Sequence, residues 1–243
     1  MSIKHEIRRI LWKIGYDIYK FTPDDHPIAR KKQIFKTFKI DIVLDIGAST
    51  GLFAKQLRND IDYKNKILSF EPLRAAFDVL KKNAKGDSNW EVFNYALGDN
   101  DEKKEINIAD NLFSSSLLDM LPSHLEAAPS SMYIGKELVD IKTLDSLFSD
   151  LCDPAKKVYM KLDTQGYESK VLTGANRSLK MIDFVQMEMS LLPLFEGEVL
   201  FNDMCLFMAE KGFNLIGIET VFTDQFTGRL LQVDGIFQAA VSQ

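Results

Sequence analysis

Residues 43–53 read Val43-Leu44-Asp45-Ile46-Gly47-Ala48-Ser49-Thr50-Gly51-Leu52-Phe53. An apolar run ends near an acid, a turn with glycines at 47 and 51 follows, and a helical pattern begins directly after it. A buried strand that enters a helix through a tight turn has this signature. Glycine lets such a turn take conformations that a Cβ hinders and lets backbone approach a ligand closely. The helix start adds unpaired N–H groups and a positive end. Dinucleotide-binding turns place pyrophosphate there with Gly-x-Gly-x-x-Gly spacing. Positions 49 and 52 are Ser and Leu, so that fingerprint is missing, and Asp45 would repel a diphosphate. A cofactor with an ammonium and a sulfonium tolerates the acid, and S-adenosylmethionine is such a cofactor. Asp45, Gly47, Ala48, Ser49 and Gly51 are therefore candidate cofactor contacts. A purely structural strand-to-helix turn is the plainer alternative.

The alternation continues outward from this turn. Apolar runs at 42–46, 66–70, 91–95, 158–162, 184–189, 214–219 and 231–237 read as strands. Helical patterns at 51–59, 73–85, 144–151, 168–179 and 200–211 fill most of the gaps. Only residues 220–229 separate the last two strands, too few for a helical crossover, so the last strand should return antiparallel. The predicted class is α/β: a Rossmann-like class I methyltransferase fold, with a seven-stranded, mostly parallel sheet, its last strand antiparallel, and helices on both faces. Residues 98–131 resist this scheme; they hold a polar hairpin candidate at 103–108 and a serine-rich loop, Phe113-Ser114-Ser115-Ser116-Leu117.

Composition narrows the class further. The chain has 243 residues, 46% hydrophobic and 27% charged, the range of ordinary globular proteins rather than disordered or fibrous ones. No run approaches the ~18 apolar residues of a membrane span, and no secretory signal pattern is recognisable at the start. Two cysteines, Cys152 and Cys205, cannot make a disulfide framework or a zinc site by themselves, so a cytoplasmic location is expected. A net charge of −5 argues against nucleic acid as a partner. The charge is uneven, however. Residues 1–40 carry ten Lys/Arg and four Asp/Glu, or +6, against twenty and thirty-one, or −11, in the rest. A domain boundary is placed there: 1–40 as a basic helical arm and 41–243 as the methyltransferase domain. Ile3, Ile7, Ile10, Leu11, Ile14 and Ile18 form one stripe of an amphipathic helix, and a second, basic helix is expected over 29–38. The stripe needs cover. Packing on the main domain or in a homodimer is favoured, and peripheral contact with the inner face of a membrane is the alternative.

Three further segments carry chemistry. Ser69-Phe70-Glu71-Pro72 closes the second strand, and an acid there can accept both ribose hydroxyls of an adenosine, which makes Glu71 a cofactor-binding candidate. Phe93-Asn94-Tyr95-Ala96-Leu97-Gly98-Asp99 ends the third, where Asn94 and the backbone at Ala96 and Leu97 would face the adenine. The third is Tyr159-Met160-Lys161-Leu162-Asp163-Thr164-Gln165-Gly166-Tyr167-Glu168, with Gln186-Met187-Glu188 on the next strand. Asp163 and Glu188 fall at neighbouring strand ends, the usual place for ligands in an open parallel sheet. They could hold a substrate hydroxyl or a Mg²⁺ ion; an N-cap and a structural hydrogen bond are the plainer alternatives. Of three histidines, His124 lies in the irregular region and is a second candidate for a base, with a surface-loop histidine as the plainer reading.

These motifs together resemble the FkbM-family methyltransferases, S-adenosylmethionine-dependent O-methyltransferases. The likeness runs from Val43 to about Phe237 and rests on Leu44-Asp45-Ile46-Gly47-Ala48 with Gly51, Phe70-Glu71-Pro72, Ala96-Leu97-Gly98-Asp99, Ser114-Ser115-Ser116-Leu117, Thr143-Leu144-Asp145, Lys161 to Glu168, Gln186-Met187-Glu188 and Gln232 to Phe237. Ser49 departs from the Asn or His of many relatives. The Gln-Gly-Tyr-Glu form resembles members associated with bacterial polysaccharide and glycolipid assembly, which implies a carbohydrate or glycolipid acceptor; other members methylate natural products such as macrolides. Methyl transfer needs a base or a metal at the hydroxyl. Asp163 is the expected base, with Mg²⁺ on Asp163 and Glu188 as the alternative. A nicotinamide-dependent sugar enzyme is the rival class, and it lacks both the glycine fingerprint and a Tyr-x-x-x-Lys pair at Tyr63.

Overall fold

Burial on both faces forces the centre of this chain into near-continuous apolar strands. The computed structural model describes residues 3–240, and side chains from His5 onward. Residues 241–243 of the expected domain and the Ile3 side chain of the expected stripe lie outside the described residues. The chain opens with α1 (Ile3–Trp12) and α2 (Pro27–Phe38), then β1 (Ile42–Ile46), α3 (Leu52–Gln56) with a π-helical turn at Leu57–Ile61, β2 (Lys66–Phe70), α4 (Arg74–Ala84), β3 (Trp90–Phe93), β4 (Ala96–Leu97) and β5 (Glu102–Ala109). It continues through α5 (Pro122–Ala127), β6 (Tyr133–Lys142), α6 (Leu144–Leu151), β7 (Val158–Leu162), α7 (Glu168–Thr173), β8 (Phe184–Ser190), α8 (Phe201–Glu210), β9 (Phe213–Thr223) and β10 (Leu230–Ala239).

The large sheet has the order β3-β2-β1-β7-β8-β10-β9. Strands β3, β2, β1, β7 and β8 run parallel. β10 runs antiparallel to both β8 and β9, so the last strand slots between its two predecessors. This is the expected class I methyltransferase sheet. One face packs Leu44, Ile46, Phe70, Met160, Leu162 and Met187; the other packs Val43, Ile67, Tyr159 and Phe184 against Phe35 of α2 and Leu57 and Leu80 of the neighbouring helices. Strand order reverses between β1 and β7, and the carboxyl ends of these strands open the crevice where ligands sit in such sheets.

Several boundaries differ from expectation, each for a local reason. The first helix stops at Trp12 rather than residue 18, and Gly15 just beyond it adopts φ +80. α2 starts two residues early because Pro27 occupies its first turn and His26 Nδ1 accepts the Ile28 N–H at 3.2 Å. The helix expected over 168–179 ends at Thr173, since the Asp145 carboxylate binds the backbone N–H groups of Arg177 and Ser178 at 3.0 and 2.7 Å and starts a new 3₁₀ turn there. Residues 103–108 form a strand, but not a local hairpin. β5 pairs antiparallel with β6, some thirty residues on, and β4 pairs parallel with β6, making a second sheet of order β4-β6-β5. The serine-rich loop returns onto this sheet through an Asn107–Ser116 bridge.

Polar groups on the strands are stitched together inside the sheet. Trp90 Nε1 donates to Ser69 Oγ at 2.9 Å, and Ser69 Oγ donates to Asp45 Oδ2 at 3.0 Å. All three residues are buried. Ser69→Ala leaves the indole N–H and the carboxyl oxygen without partners, which should cost about 2–6 kcal/mol at ~1–3 per orphaned group. Urea unfolding of the variant checks this, and a loss below about 1 kcal/mol would show that the relay contributes little.

Candidate active site

The carboxyl ends of β1, β2 and β7 and the second sheet enclose one cleft of about 910 Å³, its open mouth included. Its floor and walls include Ile46, Gly47, Ser49, Phe70, Glu71, Ala96 and Leu97, with Asp163, Gln165, Tyr167 and Glu188 across from them. Leu112, Phe113, Ser115 and Leu117 of the serine-rich loop also line it. The segment that sequence reasoning left unassigned is therefore the roof of the cleft.

The glycine turn is shaped by its protein neighbours as much as by a ligand. Gly47 has φ +76, and a Cβ there would stand 1.9 Å from the Asp163 carbonyl oxygen. The two strand ends thus touch backbone to backbone. Gly51 has φ +84 and would meet Leu80 and Trp90 at 2.8 Å, so packing under α4 requires it. It is not among the residues lining the cleft, nor are Asp45 and Ala48. Asp45 is buried in the sheet, and burial raises its pKa. Ala48 N–H, like Gly47 N–H, donates to Phe70 carbonyl at 3.0 Å. These three expected contacts shape the turn from behind.

Glu71 faces the cleft with both oxygens partly engaged. Oε2 accepts Ser49 N–H and Oε1 accepts Leu73 N–H, each at 2.8 Å. Each carboxylate oxygen keeps a second lone pair. Burial pushes the Glu71 pKa up to about 7. Asn94 does not line the cleft. Its side-chain N–H groups donate to the Glu71 and Pro72 carbonyls at 3.0 and 2.8 Å, so it positions Glu71 instead of meeting a ring. Ser49 takes φ +47, and its hydroxyl is buried without a partner.

Opposite, a chain of side chains links β7, β8 and β10. Lys161 Nζ donates to Asp163 Oδ2 at 2.8 Å. Gln165 Nε2 donates to Asp163 Oδ1 at 2.9 Å and to Glu188 Oε2 at 2.7 Å. Gln232 Nε2 donates to the same Glu188 oxygen at 2.9 Å. Burial opposes the charge on Lys161, but the Asp163 and Asp45 carboxylates outweigh it and raise its pKa. Burial, then the Asp163, Asp234 and Glu168 charges, push Glu188 well above the carboxylate range. Its charged form is thus disfavoured, and both amide N–H groups are accepted by Oε2. The Thr164–Gln165 loop is fixed by Glu168, which accepts Thr164 N–H at 2.7 Å, and by Ser116, whose hydroxyl donates to the Gln165 carbonyl at 2.7 Å.

Lys161, Gln165 and Gln232 stood in quoted motifs without an assigned role. A lysine on a strand that is otherwise wholly apolar was their signal, because buried cations need anionic partners. His124 is neither a cleft base nor a surface residue. It is buried in α5 against the rings of Phe195 and Phe222, at 5.1 and 5.4 Å, and desolvation lowers its pKa to about 4.

A sequence model of the methyltransferase FkbM domain matches residues 45–215, well over half of the chain. The chain belongs to the FkbM methyltransferase family. No curated protein matches the sequence. Similar solved structures include the methyltransferase FkbM of Methylobacillus flagellatus, with 17% identity over 81% of this chain and 43% of that one and a TM-score of 0.49. They also include an rRNA methylase of Streptococcus thermophilus (10% identity, 89% and 98% covered, TM-score 0.48). A third is fibrillarin of Aeropyrum pernix in complex with natively bound S-adenosyl-L-methionine (10%, 80% and 66%, TM-score 0.44). The chain spans less than half the length of the FkbM structure.

FkbM membership makes S-adenosylmethionine the cofactor to test against the cleft, and the residues fit it. Apolar walls at Ile46, Phe70 and Leu97 suit an adenine, Glu71 offers two free lone pairs to a ribose diol, and Ser49 has an unpartnered hydroxyl. A Mg²⁺ ion does not fit. The ammonium of Lys161 and the Gln165 amide occupy Asp163, two amide N–H groups occupy Glu188 Oε2, and no group of three or more acidic, His or Cys side chains converges among the described residues. Protonation of Glu71 removes an acceptor from the ribose diol, so S-adenosylmethionine affinity should fall as pH drops through about 7. Glu71→Gln should bind about 1.5–3 kcal/mol more weakly with that pH step gone. Calorimetry from pH 6 to 8.5 checks both; identical pH profiles for the two proteins remove Glu71 from the ribose.

Proposed function

We propose that the protein transfers a methyl group from S-adenosylmethionine to a hydroxyl of a carbohydrate, a sugar of a bacterial surface polysaccharide, a glycolipid or a precursor of either. The observation that carries this reading is the Asp163–Gln165–Glu188 bridge in the same cleft as Glu71. A polyhydroxyl acceptor needs acceptors and donors side by side. Asp163 is placed to accept, and Glu188, whose charged form burial disfavours, is placed to donate. Free thiols at Cys152 and Cys205 support work in the reducing cytoplasm.

Bound S-adenosylmethionine supplies an electrophilic methyl on a sulfonium. The chain's share is alignment and proton transfer. Gln165 spends both amide hydrogens on the two carboxyl groups, which holds them at a fixed separation. Lys161 fixes the second oxygen of Asp163, whose side chain is the more exposed of that pair at 37%. Asp163 takes the acceptor proton as the new C–O bond forms and the C–S bond breaks. Glu188 donates to a neighbouring hydroxyl and sets which oxygen faces the methyl carbon. Orientation of this kind contributes on the order of several kcal/mol, and the base a further ~10²–10⁴ in rate.

Asp163→Asn keeps the shape and removes the base, so turnover should fall by ~10²-fold or more while cofactor affinity changes little. Glu188→Gln replaces one neutral donor–acceptor group with another and should stay within about 10-fold of the wild type, for the loss of no ionised partner. Methyl-release assays on a sugar acceptor separate the two. Equal losses in both variants, or near-normal turnover of Asp163→Asn, would sink the assignment. Chelation by EDTA should leave activity unchanged; a loss that Mg²⁺ restores would place the proton step on a metal.

A further inference from the structure

The N-terminal arm does not bury its apolar stripe on the domain. Ile7, Ile10, Ile14 and Ile18 are 48–65% exposed, and Trp12, Tyr16, Tyr19 and Phe21 are exposed beside them. Of the two favoured covers, the main domain and a homodimer contact, the main domain therefore leaves them open. The arm is nonetheless held in shape. Arg8 forms a two-pronged ion pair with Asp17 at 2.8 and 2.7 Å and lies over the rings of Trp12 and Tyr19 at 5.6 and 5.3 Å. Eight large exposed apolar side chains within fifteen residues are a concentration of the kind that marks an interaction surface. Cations lie in the same stretch: Arg9, Lys13 and Lys20 are all exposed.

We infer that this arm is a docking surface for an anionic lipid bilayer. Charge selects the occupant. Residues 7–21, which carry the patch, hold four Lys/Arg against one Asp, or +3, so two patches packed on each other would repel, whereas an anionic headgroup layer complements them. Side-chain type agrees, because Trp and Tyr favour the boundary between headgroups and acyl chains and short amphipathic segments lie in that plane. No helix among the described residues is long and apolar enough to cross a membrane, so contact is peripheral. The surface lies outside the cleft and stands or falls independently of the methyl-transfer reading.

Sedimentation of the full chain with vesicles tests this directly. Binding to vesicles of equal phosphatidylglycerol and phosphatidylcholine should exceed binding to pure phosphatidylcholine by about 10-fold or more, and should collapse in 0.5 M salt on the order expected for screened surface charge. Ile10→Glu with Ile14→Glu should abolish it while leaving the melting temperature within about 1 °C, since neither side chain packs on the domain. Equal binding to both vesicle types, or none to either, overturns the proposal. So does a drop of several degrees in melting temperature, which would mean the arm packs on its own domain, or a dimer on a sizing column that the double variant splits, which would make a second copy the occupant.

Discussion

A lysine ammonium in the middle of a sheet covered on both faces must find its counter-charges there, because water cannot reach it. Lys161 meets that demand at 2.8 Å with Asp163 and electrostatically with Asp45. Much of the site follows from this pairing. With one oxygen of Asp163 held by the ammonium, the other is left for Gln165, whose second amide hydrogen then reaches Glu188. Glu188 sits beside an ionised neighbour in a buried place, so its own ionisation is suppressed. Two carboxyl groups of similar chemistry are thereby held in different environments, one paired with an ammonium and one with amides.

The fold was legible where periodicity and burial coincide. Strands such as Ile42–Ile46 and Val158–Leu162 are buried at every position and carry unbroken apolar signatures apart from the acids and the lysine that matter most. The second sheet was not legible, since β5 finds its partner some thirty residues away and β6 alternates polar residues with only two buried ones, Val139 and Ile141. Pattern alone cannot tell such a strand from a polar loop. Helix ends were missed where a side chain from elsewhere decides them, as Asp145 does for the turn at Ser178.

For the site, residue identity could be read but orientation could not. Glu71, Ala96, Leu97, Asp163 and Glu188 all line the cleft. Asp45, Gly51 and Asn94 act from behind it: Asp45 points from β1 into the core, Gly51 packs against Leu80 and Trp90, and Asn94 turns back onto the Glu71 and Pro72 carbonyls. Glycine proved ambiguous in the same way. At Gly47 the close neighbour is the Asp163 carbonyl, so the turn brings the cofactor side and the carboxylate side of the cleft into direct contact. The roof was beyond sequence reasoning, since Ser116 gains its role only through a bond to the carbonyl of Gln165, 49 residues later.

The placement of β10 between β8 and β9 bears on how this chain can be made. Among the described residues β9 has no strand partner other than β10, so it has no edge to join until β10 is in place. Until β10 pairs with β8, β9 is an unpaired, partly apolar strand. β10 also brings Gln232 to Glu188 and Asp234 to Gln186. A chain that stops short of residue 230 therefore lacks β10, leaves β9 without a partner and loses the Gln232 hydrogen bond to Glu188, so the site is complete only when the sheet is.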